Sequence, residues 1–326
     1  MRDHFEHEIR TLATGDKITE PGFYAIRLDR HHNQPCDGYS VTSSTLRTVE
    51  LRTPADVWAF HPLNPDRYEP PDSTAMRLGR AMAALVEGGL EELEKVVLVL
   101  PKNKPNRPMQ SQIDAYRRGK GTEAGTRSIE FWAKMDADPR DKITEEQWEL
   151  LVTMGKELAN DPAACAALGG IPEVTMAWQD DRTGIWCLAR PDQISFSGML
   201  SDYKKVNTQG RPFNSYVCDG RIMQHGYDMQ MAFAAQGFEQ LTHNWPDQVG
   251  LVFQWDQAPH HVILREIDDE DLRIGEFRNN RALRTIQECM ELGRWPGPGE
   301  HVGKFIRNKE QRERLLEEMN VEGVAP

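Results

Sequence analysis

A chain of 326 residues can bury a large core, as one domain of the larger size or a domain with appendages. With 39% hydrophobic and 28% charged residues it reads as a soluble globular protein, and no run approaches the ~18 consecutive apolar residues of a membrane span. A net charge of −12 argues against a generic nucleic-acid binder, because such proteins are basic. In chain order, residues 1–50 read as a loop-rich segment whose start lacks an apolar signal core, which predicts a cytoplasmic protein. A helix from about Leu78 to Lys95 leads into a strand over Val96–Leu100. Residues 102–127 carry seven Lys and Arg against two acids, Asp114 and Glu123. Their prolines and glycines (Pro105, Pro108, Gly119, Gly121, Gly125) predict a flexible loop. Lys102, Lys104, Arg107, Arg117, Arg118 and Lys120 give that loop a local positive charge, which reads either as a solvated linker or, as favoured, as a mobile basic flap for phosphate contacts.

Thr144 to Gln147 has the form of a capping box and opens a helix to about Asn160. Val174, Met176 and Trp178 alternate as a strand should, and Asp180–Gly184 reads as a turn. Ile185–Ala189 forms a second strand, Gly198 breaks the chain, and Met199–Val206 forms a third. One helical stretch is predicted from Ser215 to Phe238. Val249–Trp255 and His261–Ile267 read as a hairpin turning at Pro259. Asp268–Asp271 starts a charged helix to about Leu292, and Arg307–Pro326 reads as a short amphipathic helix with a tail. The pattern predicts an α/β (α+β) core: a mixed central sheet flanked by helices.

Arg190-Pro191-Asp192, followed by Asp202-Tyr203-Lys204, carries the chemistry. Residues two apart on a strand share a face, so Asp202 and Lys204 point the same way. Asp192 ends the preceding strand, where it can come beside Asp202 across the hairpin. Two carboxylates supply hard oxygen ligands for Mg²⁺, and a neighbouring ammonium can orient water or stabilise developing charge. Glu173 stands one strand length upstream as a third carboxylate. On the following helix Met223, Tyr227 and Gln230 share a stripe, with hydroxyl and amide groups suited to phosphate or sugar contacts. A lone Asp-x-Lys is most often a solvated pair, and only the surrounding order of motifs raises it above that. Among the histidines, His225 adjoins the Tyr227 stretch, His260 and His261 diverge on a strand, and His31-His32 lies in a loop. Five scattered cysteines without Cys-x-x-Cys predict neither disulfides nor a zinc site of the usual spacing.

Five segments in order resemble the PD-(D/E)xK nucleases of the RecB/lambda-exonuclease type, and among them the RecE-like (exonuclease VIII) phage recombination exonucleases. They are "PGFYAIRLDRHHNQPCDGYSVTSSTLRTV" (21–49), "TAMRLGRAMAALVEG" (74–88), the helices of 129–168, "EVTMAWQDDRTGIWCLARPDQI" with "MLSDYKKV" and "HGYDMQMAF" (173–233), and "GRWPGPGE" (293–300). The resemblance implies a restriction-endonuclease-like core over 51–300, between an N-terminal segment (1–50) and a C-terminal helix and tail (301–326). It implies metal ligands at Asp192 and Asp202, with the Tyr203 backbone carbonyl and Glu173 added, and catalytic Lys204 beside Tyr227 and Gln230. The implied cofactor is Mg²⁺, with Mn²⁺ as its substitute. A four-Cys iron–sulfur cluster is not expected, because only Cys289 lies in the C-terminal region where relatives group three. The chain departs from the pattern at Ala83, where a metal-binding His is expected, and at Ala234, often Tyr.

The activity so implied is resection of one strand of linear duplex DNA, 5′→3′, by a ring-shaped homo-oligomer. Duplex ends and a single-strand annealing protein are the implied partners, with no membrane role. The alternative is a catalytically weak relative that binds DNA or a recombination partner, for which Ala83 is the hint.

Overall fold

The computed structural model describes residues 7–69, 72–195, 199–299 and 303–321. The first third runs β1 (Ile9–Thr11), β2 (Gly22–Ala25), α1 (Leu28–His31), β3 (Ser40–Thr42), α2 (Ser43–Leu51), α3 (Pro54–Phe60), α4 (Thr74–Val96) and β4 (Val97–Val99). The middle runs α5 (Gln110–Arg117), α6 (Glu123–Ala137), β5 (Asp141–Ile143), α7 (Glu145–Ala159), α8 (Pro162–Ala167), β6 (Gly170–Pro172), β7 (Thr175–Gln179), β8 (Trp186–Ala189) and β9 (Gln193–Ser195). The remainder is β10 (Met199–Val206), α9 (Ser215–His225), α10 (Tyr227–Thr242), β11 (Gln248–Trp255), β12 (Val262–Glu266), α11 (Asp269–Leu292) and α12 (Lys309–Val321).

This is the mixed α/β class expected, but the central sheet is divided. One five-stranded sheet has the order β1-β2-β7-β8-β3 and a second the order β12-β11-β10-β9-β6, while β4 and β5 form a separate parallel pair. The division corrects the expected hairpin. Ile185–Ala189 does not pair with Met199–Val206; the chain leaves the first sheet after Ala189, and Arg190-Pro191-Asp192 carries it into β9, which pairs antiparallel with β10. Proline has no amide hydrogen to give a ladder, so the strand ends there. Gly198, the expected break, lies outside the described residues.

Three apolar layers hold the sheets. Helices α10 and α11 with α2 cover one face of both, through Met229, Met231 and Phe233 against Trp178, Leu200, Leu251 and Phe253. Helices α4, α7 and α8 cover the other face of the second sheet, and Ile18, Tyr24, Trp186 and Leu188 fill the far side of the first. Asp228, Arg278, Glu50 and Arg281 link the start of α10 and the middle of α11 to the end of α2 in one ion-pair chain. The capping box at Thr144 is present as expected. Trp295 stacks on Trp58 at 5.1 Å between ring centroids, which returns the Trp-Pro-Gly segment to α3; Glu300 lies outside the described residues. Among the described residues no helix is long and apolar enough to cross a membrane.

Three expectations about single segments change. Residues 7–50, expected as loop-rich, also give β1, β2 and β3 to the first sheet and most of α2. Residues 102–127 are not one flexible loop: Gln112 completes a capping box at the start of α5, and Thr122 caps α6 through the Gly125 amide. The prolines and glycines stand before and between these helices, where they punctuate rather than prevent them. The stretch from Ser215 to Phe238 is two helices, because Gly226 takes φ 65° between α9 and α10. Met223 is 70% exposed on α9 and leaves the stripe expected with Tyr227 and Gln230.

The break at Gly226 aims the start of α10. A Cβ there would stand 3.2 Å from Leu51 Cδ1 and 3.3 Å from the Arg47 side chain, in a backbone conformation that L residues avoid. Gly226→Ala is expected to lower stability by about 1–2 kcal/mol, roughly 2–4 °C in Tm. Thermal unfolding measures it, and an unchanged Tm would show that the helix pair adjusts without strain.

Candidate active site

The β9–β10 register builds the centre. Ser201 pairs with Gln193 and Leu200 with Ile194, so the next step along the ladder sets Asp202 beside Asp192. The bonds agree: the Asp192 amide donates to Asp202 Oδ1 (3.3 Å), and the Tyr203 amide donates to Asp192 Oδ2 (2.7 Å). Alternation along β10 turns Leu200, Asp202, Lys204 and Val206 toward α10 and sends Tyr203 to the opposite layer, where its hydroxyl donates to Gln254 Oε1 (2.7 Å). Asp202 is 2% exposed and is met from two sides. Its Oδ2 accepts a hydrogen bond from the Lys204 ammonium and another from Gln230 Nε2 (2.9 Å). The Lys204 nitrogen stands 4.7 Å from the Tyr227 ring centroid. Asp192, Asp202, Lys204, Tyr227 and Gln230 thus come together as the sequence predicts.

Electrostatics reflect that crowding. Burial, then the adjacent Asp202 carboxylate, push the Asp192 carboxyl up to about 7, against the pull of Lys204 and the Tyr203 amide. Burial disfavours the Lys204 ammonium, but Asp202 and Asp192 outweigh it and hold its pKa above the ordinary value. Two carboxylates that repel where β9 meets β10, with the Gln230 Oε1 beside them lacking a hydrogen-bond donor among the described residues, are a donor set suited to a hard dication. Among the described residues no three His, Cys, Asp or Glu side chains form a metal-binding group. The side chain of Glu173, the expected third carboxylate, is bonded to Arg190.

A cavity of about 370 Å³ opens over these groups, and Glu173, Asp192, Asp202, Tyr203, Lys204 and Gln230 all line it. Ala83 lines it from α4, so the position where the sequence lacks the expected His does face the centre. None of Lys102, Lys104, Arg107, Arg117, Arg118 or Lys120 lines it. Lys102 pairs with Glu145, and Arg107 binds Asp136 through both terminal nitrogens (2.7 and 2.8 Å) while covering the Trp132 ring.

The wall also contains a side chain that the sequence does not single out. Arg47, on α2, donates to the His225 carbonyl (3.0 Å) and lies 5.7 Å from the Tyr227 ring. His31 and His32 line the cavity edge. Burial holds His31 well below its ordinary pKa, with His32 and Arg190 adding to the effect, and its Nδ1 meets Thr175 Oγ1 at 3.0 Å. The only available signal for Arg47 is its place in the Ser-rich turn of α2. His225 meets Arg221 (3.1 Å) and stacks on Tyr227, so it does not replace the absent imidazole in this arrangement.

A family model described as a PDDEXK-like domain of unknown function matches residues 51–308. No curated protein matches the chain. The crystal structure of a candidate exonuclease from Eubacterium rectale is similar with a TM-score of 0.57 at 11% identity, covering 88% of this chain and 98% of that one, a likeness of fold. A phage-related exonuclease from Haemophilus somnus 129PT reaches a TM-score of 0.29 at 16% identity over 58% of this chain and 92% of its own, too slight to carry an argument.

The raised Asp192 pKa has a consequence in metal-free protein. Ionising a group whose folded pKa is raised costs stability, so the wild type loses ground as pH climbs from the ordinary carboxylate range near ~4 to about 7 and no further beyond. Asp192→Asn carries no such charge and should gain on the wild type across that window. Thermal melts in chelator at several pH values test this; a difference independent of pH would refute it.

Proposed function

The chain belongs to a family of PDDEXK-like domains, and on that premise we propose that it is a divalent-metal-dependent deoxyribonuclease that resects one strand of linear duplex DNA. The observation that carries the reading is the convergence of Asp192, Asp202 and Lys204 on one cavity, with Gln230 bonded to Asp202. Asp192 and Asp202 would hold Mg²⁺, or Mn²⁺ in its place, with the Tyr203 carbonyl as a further oxygen donor. When bound, the cation supplies a Lewis acid for the phosphodiester and a more acidic water.

The chain's own groups do the rest. Gln230 fixes one oxygen of Asp202 so that its carboxylate cannot rotate freely. Lys204, steered by Asp202 and the Tyr227 ring, presents its ammonium where a water must be oriented and where charge develops on the phosphoryl oxygens. Arg47 adds a second cation to the cavity lining, close to the same Tyr227 ring. The 5′→3′ direction, ring assembly, a single-strand annealing partner and a role in phage-type recombination all follow from the RecE-like resemblance and belong to this proposal, as does a cytoplasmic setting. One observation favours the alternative of a catalytically weak DNA-binding relative: Ala83 faces the cavity with a methyl group where an imidazole would serve as a ligand.

Digestion of linear duplex DNA with Mg²⁺ or Mn²⁺ separates the two. Lys204→Ala and Asp202→Ala are each expected to lower the rate by roughly 10²–10⁴-fold while the fold persists. Equal rates in wild type and both variants would remove the site assignment, and a wild type that binds DNA without cutting it would favour the alternative.

Outside the cavity, the basic segment is proposed as a DNA-binding surface. Neutralising Lys104, Arg117, Arg118 and Lys120 is expected to weaken DNA binding and to flatten its log–log salt dependence by about 0.9 for each phosphate that no longer meets a cation. Neutralising Lys102 and Arg107, already paired with acids, should change the slope less. An unchanged slope in the fourfold variant would place the DNA path elsewhere.

A further inference from the structure

We infer that Arg190 and Glu173 form a positioning pair that sets Asp192 against Asp202, and that Glu173 belongs to this brace instead of serving as a third ligand to the cation. The inference rests on the nuclease reading and deepens it at the same site.

Two short crossings join the two sheets directly, at Glu173 between β6 and β7 and at 190–192 between β8 and β9. The two crossings touch: the Glu173 amide donates to the Asp192 carbonyl at 3.1 Å. Arg190 ties them further. Its side chain is 8% exposed; one terminal nitrogen donates to the Ile26 carbonyl just beyond β2 (2.6 Å), and the other to the Glu173 carboxylate. One guanidinium therefore joins the first sheet, the first crossing and the second crossing, two residues before Asp192. The planar fork of Arg suits this double contact, and the single ammonium of Lys does not.

The backbone supports the same conclusion. Glu173 takes φ 52°, a left-handed conformation uncommon for a residue with a long side chain. Such conformations persist where the surroundings over-determine them. Here the conformation lets the amide of Glu173 reach Asp192 while its carboxylate reaches Arg190. The role is one of orientation, comparable to the partners that orient metal ligands from behind.

The test uses full-length Glu173→Gln, Glu173→Ala and Arg190→Lys, with Asp202→Ala as a control. Calorimetric titration of Mn²⁺ into metal-free protein is read beside cleavage of linear duplex DNA. The amide oxygen of Gln still accepts from Arg190, so Glu173→Gln should keep Mn²⁺ affinity and cleavage within about threefold of wild type, whereas Glu173→Ala and Arg190→Lys should lower both by roughly 10–100-fold. Loss of Mn²⁺ affinity in Glu173→Gln as large as in Glu173→Ala would show that the cation uses the charge of Glu173, and would overturn the brace. Unaltered behaviour of Glu173→Ala would overturn it as well. If Arg190→Lys does not fold, the contrast between Gln and Ala at position 173 still decides. Should Asp202→Ala cut DNA like the wild type, the nuclease reading fails by itself, and the Mn²⁺ titrations alone still decide the brace.

Discussion

Two like charges held side by side where β9 meets β10 are the constraint around which this molecule is organised. Register between β9 and β10 brings Asp192 and Asp202 side by side, where burial and mutual repulsion raise the Asp192 carboxyl. Relief comes from an ammonium two residues along the same strand, an amide from α10 and a backbone N–H from Tyr203. Each source needs a different part of the fold in place. The alternation of β10 fixes the ammonium, and the break at Gly226 aims α10 so that Tyr227 and Gln230 face the strand. A set satisfied only jointly costs more when partly satisfied than an apolar core would, which ties the local chemistry to the global arrangement.

What is legible in the sequence is whatever depends on spacing along the chain. Asp202 and Lys204 share a face because strands repeat every two residues, and the capping box at Thr144 needs only four positions. The fold class follows from the same periodicities. What stays hidden depends on separations no local pattern encodes. Arg47 meets the His225 carbonyl across 178 positions, and Thr175 meets His31 across 144. The partner of Arg190 is hidden in the same way. By sequence Glu173 resembles a third ligand, because a carboxylate near two others suggests one site. Only its backbone conformation and its bond to Arg190 distinguish brace from ligand.

The segments that depart from expectation share a physical cause. Proline and glycine act on their own dihedral angles and do not dissolve the whole stretch around them. In 102–127 they leave room for two capped helices, and at 226 a single glycine among good helix formers splits what periodicity joins. The division of the sheet has the same origin: Pro191 ends one ladder, and a crossing of three residues is enough to enter another.

Net charge is a sum over the whole surface, whereas a phosphate responds to what lies within a Debye length, about 8–10 Å. The cavity wall contains Arg47, Arg80, Arg190, Lys204 and Lys205 among its carboxylates. Several of those cations are held by acids fixed in the fold: Arg80 by Asp72 and Asp141, Arg190 by Glu173, Lys204 by Asp202. Pairing costs each of them some attraction for an anion, but it also fixes the direction in which the remaining donors point. An acidic chain can therefore present an oriented cationic surface at one place and leave its excess of carboxylates elsewhere, where they oppose adventitious binding of polyanions. The local arrangement, not the sum of −12, sets what this cavity can hold.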